Sequence, residues 1–180
     1  MKRGNFIYSI IIRYLVLILL GLPFIGLFYL VFSSLTVYPV YWILEIFYSV
    51  TKIGNTLFVN HVPIEIIEAC IAGSAYYLFF ILNLSTPNIK IKRRIKILLI
   101  ALISFLIINI LRIVILSIMF LSASLWFDFT HELFWYLLST VFVIVIWFIL
   151  VRTYKIKEIP FYSDIISLYK KSTFKKKKKK

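Results

Sequence analysis

The run from Ile97 to Phe127 limits this chain most. It is apolar throughout, broken only by Asn109, Arg112 and scattered serines. A helix needs about 20 apolar residues to cross the hydrocarbon of a bilayer. Three further stretches are also long enough, giving expected spans at about 14–32, 63–84, 97–120 and 132–151. The whole chain is 62% hydrophobic, with a mean hydropathy of +0.98. A soluble domain is nearer half apolar, and one small core could not bury so much. The expected fold class is therefore all-α, a polytopic membrane helix bundle. Residues 1–151 form a single transmembrane domain, and 152–180 form a basic cytoplasmic tail ending in six lysines.

Charge sets the expected orientation. The net charge is +14, which in a soluble protein would point to nucleic acid. Here the basic residues lie between the apolar runs, so no nucleic-acid partner is implied. Of 21 Lys and Arg, three lie at or before Arg13, five at Lys90–Lys96 and eleven from Arg152 onward. If Val37–Ile53 lies in the outer interface or re-enters, 19 of the 21 share one side, as the positive-inside rule asks. The reading is thus a multi-pass protein of the cytoplasmic membrane. It has both termini inside and an interfacial segment at about 37–53. Glu45, Glu65, Glu68, Asp128 and Glu132 then fall in the outer half.

Three reactive side chains reach similar depth in this topology. Cys70 lies about 10 Å below the outer edge of the second full span, at 1.5 Å per residue. Arg112 rises to roughly 8 Å below that edge on the third. His131 opens the fourth. Depth alone does not make them face one another. A lone cysteine in a membrane helix is usually a small apolar residue. An arginine in a span is different, because its insertion costs about 2.5–3.5 kcal/mol. Glu65 and Glu68 share a helical face, with interface solvation or Arg112 as partner. Asn109, also on one face with Arg112, can hold the guanidinium or bond a neighbouring helix. Asp128 can cap the last helix or hold the His131 imidazole. His61 is an alternative imidazole.

As a set, these groups suffice for thiol-based peptide cleavage. A thiolate attacks, a histidine moves the proton, and an arginine stabilises the oxyanion. No H-E-x-x-H zinc motif occurs. No metal or cofactor is expected.

The residues "EAC" (Glu68 to Cys70), "NILRI" (Asn109 to Ile113) and a histidine opening the following span resemble the exosortase/archaeosortase family, in its compact archaeal form. Its members are regarded as polytopic cysteine transpeptidases acting on proteins with a C-terminal sorting signal. The resemblance implies Cys70 as nucleophile, Arg112 as electrostatic stabiliser and His131 as acid and base. Glu68, Asn109 and Asp128 would support them. The implied partners are signal-bearing membrane proteins, processed on the outer side of the membrane. In the family a small polar residue and glycine usually follow the cysteine. Here Ile71 stands there and the glycine is delayed to Gly73. The alternative from another class is a small transporter or channel component, with Arg112, Glu65, Glu68 and Asn109 lining a solute path.

Overall fold

The computed structural model describes residues 25–87, 89–134 and 139–156, with Ile12 and Leu15. The described residues are mostly helical, at 72%. In order it forms α1 (Ile25–Glu45), β1 (Val50–Ile53), β2 (Thr56–Val59), β3 (Val62–Glu65), α2 (Glu68–Ile71), α3 (Gly73–Ser85), α4 (Ile91–Leu121), α5 (Phe127–Leu133) and α6 (Ser139–Thr153). Three stretches are helical, long and apolar enough to cross a membrane: Phe28–Glu45, Glu68–Ser85 and Ile91–Leu121. α6 is apolar but shorter. Of the full span expected at 132–151, the structure describes the end of α5 and, from Ser139, α6; 135–138 lie outside the described residues. Much of the span expected at 14–32 and most of the basic tail also lie outside them.

α4 is the central strut. Its 31 residues extend about 46 Å, more than a bilayer core needs. Ile95, Leu99, Ile103, Ile107, Leu111 and Ile115 recur every four residues and are exposed together, which makes an unbroken apolar stripe. The opposite face carries Ile97, Ala101 and Phe105 into the core. Phe105 meets Tyr76 and Phe79 of α3 edge-on, at 5.0 and 5.7 Å between ring centroids. Tyr76 in turn stacks on Phe32 of α1. α6 closes the core with Val143, Ile146, Trp147 and Leu150. At the turn between α3 and α4, the Arg94 guanidinium donates to the Asn83 and Thr86 carbonyls, and Asn83 Nδ2 donates back to the Arg94 carbonyl. This locks the hairpin at its basic end.

Over the interfacial segment expected at 37–53 the structure has helix and then strand. α1 continues through Ser33–Glu45 as helix, and the chain then turns into a three-stranded antiparallel sheet of order β1-β2-β3. The all-α expectation is amended accordingly. α1 survives Pro39 because proline removes only one ladder bond, and burial supplies more. Val37, Val40 and Leu44 form a face that is 0–1% exposed. The sheet follows from two turns. Gly54 takes φ 61°, and Ile53 and Thr56 flank a two-residue Gly-Asn loop. Asn60 and His61 both take positive φ, as a type I′ hairpin requires. Leu57 and Val59 then point inward, fully buried.

The sheet folds back along α1. The Ser33 hydroxyl donates to Asn55 Oδ1 at 3.4 Å, and the Lys52 ammonium sits 4.5 Å from the Tyr38 ring centroid. The expected span start at residue 63 is corrected too. Residues 62–65 pair in the sheet, and helix begins only at Glu68.

Candidate active site

The site begins with a broken helix. Ile67 leaves the sheet in extended conformation, and α2 runs for a single turn. Ala72 then adopts the left-handed region, φ 57° and ψ 42°, before α3 restarts at Gly73. Such a conformation costs a non-glycine residue about 1–3 kcal/mol, so something must hold it. Two contacts account for it. A Cβ on Gly73 would lie 2.8 Å from the Tyr29 ring of α1, so glycine permits this close helix approach. On the other side, the Asn109 amide of α4 donates to the carbonyls freed by the break. Its Nδ2 lies 2.9 Å from the Cys70 oxygen and 3.4 Å from that of Ile71. Asn109 is 2% exposed, so this substitute for the helix ladder is made in the interior.

Arg112 stands one turn beyond Asn109 and is 4% exposed. Its guanidinium lies 5.8 Å from the Phe134 ring centroid, a cation–π contact. The Cys70 thiol is half-buried. His131 comes from α5, where its ring stacks on Phe127 one turn earlier, at 5.5 Å and 5°. Cys70, Arg112 and His131 all line one cleft of roughly 210 Å³. β3 supplies Pro63, Ile64 and Glu65 to one wall. Ile113, Leu116, Ser117 and Phe120 of α4 form the opposite wall, and Phe127 completes it from α5. A buried guanidinium, a thiol and an imidazole around an apolar cleft can bind, ionise and protonate a carbonyl substrate.

The supporting residues divide. Asn109 bonds the last carbonyls of α2 before the break, which is the neighbouring-helix alternative. Glu68 is exposed in the first turn of α2 and is not part of the cleft wall. Asp128 is exposed in the first turn of α5, outside that wall too, and makes no cap there. Glu65 does line the cleft. His61 occupies the exposed hairpin turn, away from the cleft. Among the described residues, no group of three or more His, Cys, Asp or Glu could hold a metal ion. Sequence reasoning missed the aromatic partners Phe127 and Phe134. Their spacing of four and three residues from His131 was the available signal.

A second cavity of roughly 440 Å³ lies on another side of Arg112. Tyr29, Ser74, Tyr77 and Thr140 give it hydroxyls, and Leu78, Ile81 and Val143 give it apolar wall. Comparison with known proteins adds no relative: no family model, curated protein or solved structure matches the chain.

Proposed function

We propose that this chain is a membrane cysteine transpeptidase or protease, similar in chemistry to the exosortases and archaeosortases. It acts on the outer side of the cytoplasmic membrane. Its substrates are membrane proteins carrying a C-terminal sorting signal. One observation carries the reading: a thiol, a guanidinium and an imidazole from three separate elements line a single cleft. In the proposed reaction the Cys70 sulfur forms a bond to the substrate carbonyl carbon, and His131 takes the thiol proton. Arg112 stabilises the resulting oxyanion. The C–N bond then breaks, and His131 gives its proton to the leaving amine. Water, an amine or another acceptor attacks the thioester, which releases the acyl product and restores the thiol.

The test is co-expression of a signal-bearing substrate with wild type and with Cys70→Ala. The expected result is processed product with wild type only. Processing that persists unchanged in Cys70→Ala would sink the proposal.

The second cavity favours an alternative, a small transporter with Arg112 between two solute compartments. Cys70→Ser separates the two. An enzyme loses its activity with that change, whereas a solute path tolerates it.

A further inference from the structure

The cleft has one wall that neither helix packing nor the catalytic groups explain. β3 is the last strand of its sheet, and its outer edge faces the cleft. The register tells which of its backbone groups point there. Ile66 N–H donates to the Asn55 carbonyl at 3.0 Å, so Ile66 faces β2. In an antiparallel ladder the direction alternates. Ile64 and Val62 therefore face β2 as well, opposite Leu57 and Val59. Pro63 and Glu65 face outward. The proline loses nothing there, since its missing N–H would have pointed away from the ladder. The outward edge thus offers the Pro63 carbonyl and both the N–H and the carbonyl of Glu65. Among the described residues, none bonds to these three groups.

Free strand edges are templates for another strand, and proteins commonly cover or charge them. The other edge of this sheet belongs to β1, which packs against α1. Among the described residues β3 is left open, and it is open beside a thiol. Two residues after β3 the chain enters the turn of helix that carries Cys70. The facing wall is apolar, formed by Ile113, Leu116, Phe120 and Phe127. That is the arrangement of a β-augmentation site, in which main-chain bonds supply affinity and pockets read alternate side chains.

We propose that β3 is the docking strand for an extended polypeptide segment of the substrate. The segment adds to the sheet at Pro63 and Glu65 and carries its reacting carbonyl to Cys70. This rests on the chemistry proposed above, and it names the form in which the substrate binds. Helical or globular substrates do not satisfy the edge. The protein therefore acts on a stretch that lies unfolded next to the membrane surface. The specificity of such a site is carried partly by backbone, so apolar side chains at alternate positions suffice.

The test uses Cys70 as a chemical handle and needs no turnover. Full-length protein in lipid nanodiscs is labelled with an acetylated tetrapeptide of alternating alanine and valine that ends in a vinyl sulfone. A matched probe has two backbone amides replaced by esters, which removes N–H donors without adding bulk. Rates are normalised to labelling by N-ethylmaleimide, which needs no docking strand. Wild type is expected to react about tenfold faster with the amide probe, the effect of one or two net hydrogen bonds. Glu65→Pro, which removes the one outward N–H, is expected to slow the amide probe about tenfold relative to the maleimide rate. Equal rates for the amide and ester probes on wild type would overturn the proposal, whether or not Glu65→Pro folds. Failure of the Cys70→Ala processing test would instead count against the chemistry and leave the labelling ratio readable.

Discussion

Asn109→Ala is the sharpest probe of how the site is built. The substitution removes a donor 2.9 Å from the Cys70 carbonyl and 3.4 Å from that of Ile71. Only the first is a strong bond by distance, so it sets the scale. Interhelical hydrogen bonds in membranes average about 0.6 kcal/mol, because the separated helices find other partners. The Cys70 carbonyl has no such reserve. Its ordinary helical donor is out of reach while Ala72 stays left-handed. Leaving a buried carbonyl unpaired costs about 1–3 kcal/mol, and that range applies here. For a chain of this size the melting temperature falls by about 2–4 °C per kcal/mol. The assay is thermal unfolding of purified protein, run beside the rate at which N-ethylmaleimide labels Cys70. Asn109→Ala should melt lower by several degrees and change the labelling rate, since α2 loses its anchor. A melting point and labelling rate both equal to wild type would refute the claim that Asn109 holds the break.

Two further outcomes follow from packing and from the sheet. Gly73→Ala pushes a methyl to within 2.8 Å of the Tyr29 ring, a ring that cannot swing aside like a flexible chain end. It should cost about 1–3 kcal/mol by overpacking, measured as a lower melting temperature; unchanged stability would mean α1 and α3 are not in close contact. In a Cys70→Ala background, Tyr38→Cys should react with a membrane-impermeant maleimide and Leu30→Cys should not. The sheet beside Tyr38 carries open backbone edges, which hydrocarbon excludes. Protection of the Tyr38→Cys thiol would contradict that placement.

The long elements were legible because hydropathy is summed over many residues. Ile97–Phe127 could be little but helix, and α4 runs through it as far as Leu121. The association of Cys70, Arg112 and His131 was legible only as a shared depth. That estimate assumed continuous helices entering at Pro63, whereas Pro63 is in a strand. What failed was local. In "TKIGNTLFVNHVPIE" the Gly54–Asn55 pair was a hairpin signal of the kind strands need. It was hidden because an apolar, aromatic neighbourhood also suits a membrane interface. Pro39 does not break α1, since a buried face at Val37, Val40 and Leu44 outweighs one lost bond. The break at Ala72 had no signal in residue type, since alanine favours helix. Its causes, Tyr29 and Asn109, are distant in sequence and come together only by packing.

The broken helix has a mechanical consequence. A span is normally one stiff rod, and a residue near its end moves with the rest of the rod. Here the left-handed joint at Ala72 uncouples the turn bearing Cys70 from α3 below it. Upstream that turn continues from β3 through only Ile66 and Ile67, and Ile66 is pinned to Asn55 of the sheet. The thiol therefore rides on the sheet as if on a lever arm, with the Asn109 amide as its fulcrum on α4. A chain added to β3 would pull on the thiol directly, while α3 and the aromatic core of Tyr76, Phe79 and Phe105 stay still.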